Sequence, residues 1–226
     1  KSLDAARLEL RSDKPVAAGA QTMDDLMSAT LAIAGYGGMA TSTAFLLAEP
    51  RVIVCDRYAS APHIKNGKVE IIAAGGHTFT TKVVRSDNRH PFGPTILEAS
   101  DALQTPGLRL TATPLKPGAI MQVLVAAGEK TGISTGTVTK ARLAPMDVPP
   151  IEGKVPNLAS LECVVAPGAS GAPVVDDTMA VRGFIVAGSR DPQNPWSYAY
   201  PAQHWASVLA NRKQAKKGSP KKPAGR

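Results

Sequence analysis

Aromatic residues are scarce, 4% of the 226-residue chain, so a core has to be built mostly from Ala, Val, Ile and Leu. Cysteine is scarcer: Cys55 and Cys163 are the whole supply. That is too few for a disulfide framework. Apart from the option of a single bridge, buried free thiols are the expectation, which fits a reducing, cytoplasmic-type compartment. No apolar run approaches the roughly 18 residues of a membrane helix, so no span is expected. The Cys and His residues lack paired spacings such as C-x-x-C or H-x-x-x-H, which leaves no metal site to propose. There is no G-x-G-x-x-G and no alternation of strand and helix patterns, so nothing points to a nucleotide fold or to a cofactor.

Acidic residues are absent from the last fifteen positions, which hold Arg212, Lys213, Lys216, Lys217, Lys221, Lys222 and Arg226. The formal net charge of +8 therefore belongs largely to this tail, and the body is near neutral. A Lys/Pro/Gly-rich segment of this kind is expected to be disordered, with RNA or an acidic surface as its candidate partner. The first residue is Lys1 rather than methionine. The expectation is a processed product or excised piece, such as a viral polyprotein product in a host cell.

What is present is a β pattern. Twenty Gly and nineteen Pro break the chain often, which favours short strands and turns. Residues 1–26 read as an N-terminal arm with helical segments, including a helix start in which Thr22 caps and Asp25 stands at the third helical position. A first set of strands runs through Ala29–Ala34, the hairpin Ala44–Cys55, the hairpin Val69–Val84 and Thr95–Glu98. A second runs through Leu108–Ala112, Ile120–Ala126, Thr135–Ala141, Ala159–Val165, a hairpin after Pro173, and Tyr198–Pro201. Gln203–Asn211 reads as a helix with Trp205, Val208 and Leu209 on one face. The expected fold is all-β: two antiparallel six-stranded barrels, residues 27–105 and 106–211, with a short C-terminal helix and a basic tail at 212–226.

The chemistry-bearing stretch is Pro167-Gly168-Ala169-Ser170-Gly171-Ala172-Pro173-Val174-Val175, followed by Val181–Gly188. A serine between glycines feeding a hairpin can be a nucleophile beside an oxyanion hole, or simply a tight loop. The serine turn, the later Gly183, the ending Tyr198-Ala199-Tyr200-Pro201 and the Val69–Asp87 hairpin together resemble the trypsin-like serine protease superfamily. In look they are closest to HtrA/Deg-type or viral trypsin-like members. The resemblance covers roughly residues 29–210.

That resemblance implies Ser170 at the nucleophile position and the N–H groups of Gly168 and Ser170 as an oxyanion hole. It implies Val164 at the base of a specificity pocket for small or apolar side chains. Val186, Ala187 and Gly188 would be the strand that pairs with a substrate backbone. The base and its carboxylate depart from the pattern. Where "V-L-T-A-A-H" is expected, the chain has Val52-Ile53-Val54-Cys55-Asp56-Arg57, so Arg57 (or Tyr58, with a shift of one) takes the histidine's place. Arginine cannot accept a proton. Gly93 or Pro91 takes the place of the orienting aspartate. Among the four histidines, His63 is the candidate substitute base, with Asp87 or Glu98 as its carboxylate. His77, His90 and His204 read as surface or packing residues.

Three readings follow: a trypsin-like homologue that has lost peptidase activity and binds a protein or peptide in the cleft; an active serine endopeptidase using Ser170, His63 and Asp87 (or Glu98); or a scaffold presenting a basic RNA-binding tail.

Overall fold

The computed structural model describes residues 19–20, 22–88, 92–101, 103–127, 130–140 and 158–210. The first eighteen residues, His90, Pro91, the proline-rich loop at 145–156 and the tail at 212–226 lie outside them.

The chain enters through α1 (Met23–Ala29), and its start is local chemistry. The Thr22 hydroxyl accepts from the Asp25 N–H at 3.1 Å, and the Asp25 carboxylate accepts from the Thr22 N–H at 3.0 Å. This is the reciprocal capping box the sequence suggests. Leu26 and Ala29 turn inward and are buried.

Six strands then close a barrel: β1 (Thr30–Ala34), β2 (Ala40–Leu47), β3 (Val52–Asp56), β4 (Lys68–Ile72), β5 (Thr78–Ser86) and β6 (Pro94–Glu98), in the order β1-β2-β3-β6-β5-β4. β3 is buried along its whole length between β2 and β6, whereas β4 alternates exposed and buried positions. The continuous apolar run and the alternating run are the two strand patterns expected of covered and half-covered strands.

The second sheet contains β7 (Arg109–Leu110), β8 (Ile120–Ala127), β9 (Lys130–Lys140), β10 (Ala159–Glu162), β11 (Pro173–Val175), β12 (Ala180–Gly188) and β13 (Ser197–Pro201). Its order is β11-β8-β9-β10-β13-β12-β7, and a further β11–β12 pairing closes the first six of these into a ring. β7 runs parallel to β12 on its outside. The expected double-barrel fold is therefore present, with its closing helix α3 at Ala206–Ala210.

Local expectations need correcting in several places. The expected helix Gln203–Asn211 is a 3-10 turn at Ala202–His204 followed by α3, and Asn211 lies outside the described residues. The stretch after Cys55 is not a loop: Arg57–Ser60 forms a helical turn, α2, followed by a 3-10 turn at Ala61–His63. The Asp56 carboxylate caps α2 by accepting from the Tyr58 N–H at 3.1 Å. The expected strand Leu108–Ala112 shortens to Arg109–Leu110, and Ala159–Val165 shortens to Ala159–Glu162.

The barrels share one apolar core. A single buried cluster runs from Leu31, Phe45 and Ile53 of the first barrel to Val181, Phe184 and Trp205 of the second half. Trp205 is fully buried and stands edge-on to Phe45 of β2 at 6.5 Å, with Phe184 of β12 at 5.6 Å on its other side. Its indole N–H donates to the Tyr200 carbonyl, which satisfies the one polar group such a burial would strand. A separate cluster, including Val123, Leu161, Val174 and Ile185, fills the second barrel.

Candidate active site

The serine turn is held by its backbone. The Ser170 carbonyl accepts from the Thr43 N–H at 2.9 Å, and the Thr43 hydroxyl donates to the Gly168 carbonyl at 2.7 Å. The Gly171 N–H donates to Ile185 at 2.7 Å, and the Ile185 N–H returns a bond to Ala172 at 2.9 Å. The turn is thus pinned between β2 of one barrel and β12 of the other.

Glycine is obligatory at 171. Its φ is +86°, and a Cβ there would collide with the Thr43 carbonyl and stand 3.1 Å from the Asp56 N–H. Only a bare backbone with access to left-handed φ fits so close an approach.

Two N–H groups of the turn remain unused. Ala169, Gly171 and Ala172 donate within the chain. Those of Gly168 and Ser170 meet no acceptor among the described residues. Both residues are partly exposed, and Gly168 has φ +86°. Unsatisfied N–H groups at a partly open turn can receive an oxyanion or another anionic oxygen.

The two departures from the protease pattern meet in space. The Arg57 N–H donates to the Gly93 carbonyl at 3.0 Å. Gly93 in turn lies against Asp87: a Cβ at 93 would collide with the Asp87 carbonyl and stand 2.9 Å from its Cβ. Asp87 is 5% exposed, and its N–H donates to Pro94 at 2.9 Å. The acid of this cluster therefore comes from the end of β5, and position 93 has no room for one. Tyr58 is 68% exposed with its ring 6.1 Å from that of Phe92.

The other expected residues are more dispersed. His63 ends the 3-10 turn after α2, with its ring 3.3 Å from where a Cβ on Gly35 would stand. It forms no hydrogen bond with Ser170 among the described residues. Glu98 is paired with Val52, at the end of β3 and β6 remote from the Asp56–Pro94 pair, and is exposed. It is thus at the wrong end of the strand to orient a base near Ser170. His77 lies between β4 and β5, and His204 stacks on Tyr200 at 6.1 Å.

In the pocket region, Val164 is half-buried, and the N–H of the next residue, Val165, donates to Ser189 at 3.2 Å. The side chain of Val165 fills the space that a Cβ on Gly188 would need. Val186 is buried at a bulge of β12, while Ala187 and Gly188 are half-buried.

Two residues in this region are not apparent from sequence. Thr43 gives no local signal, because its role is to bond from β2 to a turn 125 positions further along the chain. Asp56 could have been read as a helix cap had α2 been recognised. It is 1% exposed, and burial pushes its carboxyl up to about 7, against the N–H groups of Tyr58 and Ala59 and the nearby charge of Arg57, which pull it down. Its Oδ2 has no hydrogen-bond partner. Both cysteines are free and buried; burial pushes the Cys55 thiol up to about 12, so it stays protonated and inert.

No family model and no curated protein matches the sequence. Solved structures do match. The Rv3671c protease of M. tuberculosis, in an inactive form, shares 23% identity over 91% of this chain and 100% of its own, with a TM-score of 0.65. The MamO protease domain from Magnetospirillum magneticum shares 15% over 83% of this chain and 98% of its own, with a TM-score of 0.62. The HtrA-type protease AlgW, with a tripeptide, shares 13% over 86% of this chain and 64% of its own, with a TM-score of 0.66. The paired barrels and the turn between them are the fold of the HtrA-type, trypsin-like serine proteases.

Proposed function

We propose that this protein uses the protease fold to bind a peptide or protein segment in the cleft without hydrolysing it. The observation that carries the reading is Arg57. It opens α2 immediately after Asp56, whose backbone N lies 3.1 Å from where a Cβ on Gly171 would stand, and it takes the position to which the family resemblance assigns the general base. A serine hydroxyl is a weak nucleophile until a neighbour takes its proton, and a guanidinium stays protonated at any working pH. Gly93 supplies no carboxylate beside it. The pinned turn retains a purpose without chemistry, since its backbone joins the two barrels.

One observation favours the active alternative. The free N–H groups of Gly168 and Ser170 are what acyl transfer requires, and Asp87 is a buried acid beside Gly93 that could orient a base. His63 would then have to swing toward Ser170 when substrate binds.

A fluorophosphonate probe separates the two. No labelling is expected of the native chain. Strong labelling at Ser170, abolished by Ser170→Ala and by His63→Ala, would establish an active endopeptidase instead.

A further inference from the structure

We infer that Asn66 is a modification site of this chain: it loses its side-chain amide spontaneously to water, because the turn that holds it offers an unshielded glycine N–H beside a row of three lysines. The site lies on the surface of the first barrel and stands apart from the peptide-binding reading.

The turn is Lys65-Asn66-Gly67-Lys68. The Lys65 N–H donates to the Lys68 carbonyl at 2.8 Å, and the Lys68 N–H returns a bond to Lys65 at 2.9 Å. Asn66 has φ +52° and Gly67 φ +70°, the left-handed pair of a type I′ turn. Both are exposed, and a Cβ on Gly67 would meet nothing within 4 Å. The Gly67 N–H has no acceptor among the described residues. Asparagine is a thermally labile side chain. Its usual attacker is the backbone nitrogen of the next residue, and here that nitrogen has neither a side chain to shield it nor an acceptor to hold its proton.

The lysines supply the charge. Lys65 stands opposite Lys68 in an antiparallel bridge, and Lys68 opposite Lys82 of β5. Directly opposed residues share a face at about 5 Å, so the three form one cationic row at the turn. All three are exposed, and no carboxylate forms an ion pair with them among the described residues. Glu70 is the nearest acid along β4. The field of such a row favours negative charge developing beside it.

Solvent hydroxide removes the Gly67 N–H proton. The nitrogen then bonds to Cγ of Asn66, the Cγ–Nδ2 bond breaks, and ammonia leaves with a proton taken from water. Water opens the resulting five-membered imide at either carbonyl. Opening between the Gly67 nitrogen and Cγ gives aspartate; opening at the main-chain carbonyl carbon of residue 66 gives isoaspartate. Asparagine and water thus become aspartic acid and ammonia, with nothing oxidised or reduced. The anionic nitrogen, the tetrahedral oxyanion and the product carboxylate all arise beside the lysines. The isoaspartyl form adds a carbon to the main chain of a two-residue turn. That displaces the Gly67 carbonyl, which accepts from the Val83 N–H of β5 at 2.8 Å.

The other asparagines lack this pairing. Asn88 is followed by Arg89, Asn157 by Leu158, Asn194 by Pro195 and Asn211 by Arg212.

The test incubates the full chain for several days in warm, mildly alkaline buffer, then digests it with chymotrypsin for mass spectrometry. The segment from Ala59 to Phe79 should gain about 1 Da and split into aspartyl and isoaspartyl species. Segments carrying Asn88, Asn157 or Asn194 should change at least about tenfold more slowly, since the next residue brings a side chain or, in proline, no N–H. A variant combining Lys65→Gln, Lys68→Gln and Lys82→Gln, shown to be folded by its thermal melt, should convert about threefold more slowly at low salt. An Asn66 that stays intact, or that converts no faster than the other asparagines, would overturn the inference. An unchanged rate in the lysine variant would overturn the part given to the row.

Discussion

The backbone N–H of Arg57 is hydrogen-bonded to the carbonyl of Gly93 at 3.0 Å. These are the two positions at which the sequence departs from the protease pattern, and their main chains meet here. Gly93 is wedged against Asp87 with no space for a Cβ. Gly93→Ala is therefore expected to destabilise the protein by about 1–3 kcal/mol, as overpacking of a rigid site does. Urea denaturation checks this; an unchanged midpoint would mean that the Asp87 backbone yields easily.

Asp56 should make stability depend on pH. Its folded value of about 7 lies above the ordinary 3.8. Between those values the folded protein holds a proton that the unfolded chain has released. Stability is therefore greatest below about pH 4 as far as this group is concerned, and declines as pH rises through about 7. At about 1.4 kcal/mol per pKa unit, the full effect is about 4 kcal/mol. Asp56→Asn keeps a good helix cap and removes the titration. Its melting temperature should exceed that of the native chain at pH 8, and the gap should narrow by pH 5 and close near pH 4.

Thr43 bridges the barrels. Its hydroxyl bonds Gly168 at 2.7 Å and also engages the N–H of Ala126 at 3.2 Å. Thr43→Val keeps the shape and strands both partners. A loss of about 1–3 kcal/mol is expected in chemical denaturation, with the Thr43 N–H to Ser170 bond retained.

Trp205 fills the junction between Phe45 and Phe184. Trp205→Ala should cost about 3–5 kcal/mol, measured as a shift in the denaturation midpoint.

Much of this architecture is visible in the residues. The hairpins follow from apolar runs broken at Glu49-Pro50 and Gly75-Gly76, and Thr22 with Asp25 announces α1. The apolar trio Trp205, Val208 and Leu209 is inside as expected, although Trp205 stands just before α3 rather than in it. α2 escapes notice because it is four residues long, lies next to Pro62 and depends on one side-chain cap. The family resemblance singles out Asp87, Gly93 and Arg57, but their contacts have no local signal. They are brought together by the register of β3, β5 and β6, and no local pattern encodes a pairing across strands. The Gly168 and Ser170 donors are implied by the resemblance, but their freedom is known only once every nearby acceptor among the described residues is accounted for.

The shared core beneath the cleft sets how a ligand can be admitted. Phe45, Phe184 and Trp205 lock the two halves of the molecule over one continuous apolar body. The halves cannot swing apart like jaws without exposing it. On the proposed peptide-binding reading, the site would meet its ligand nearly preformed, with little ordering left to do on contact.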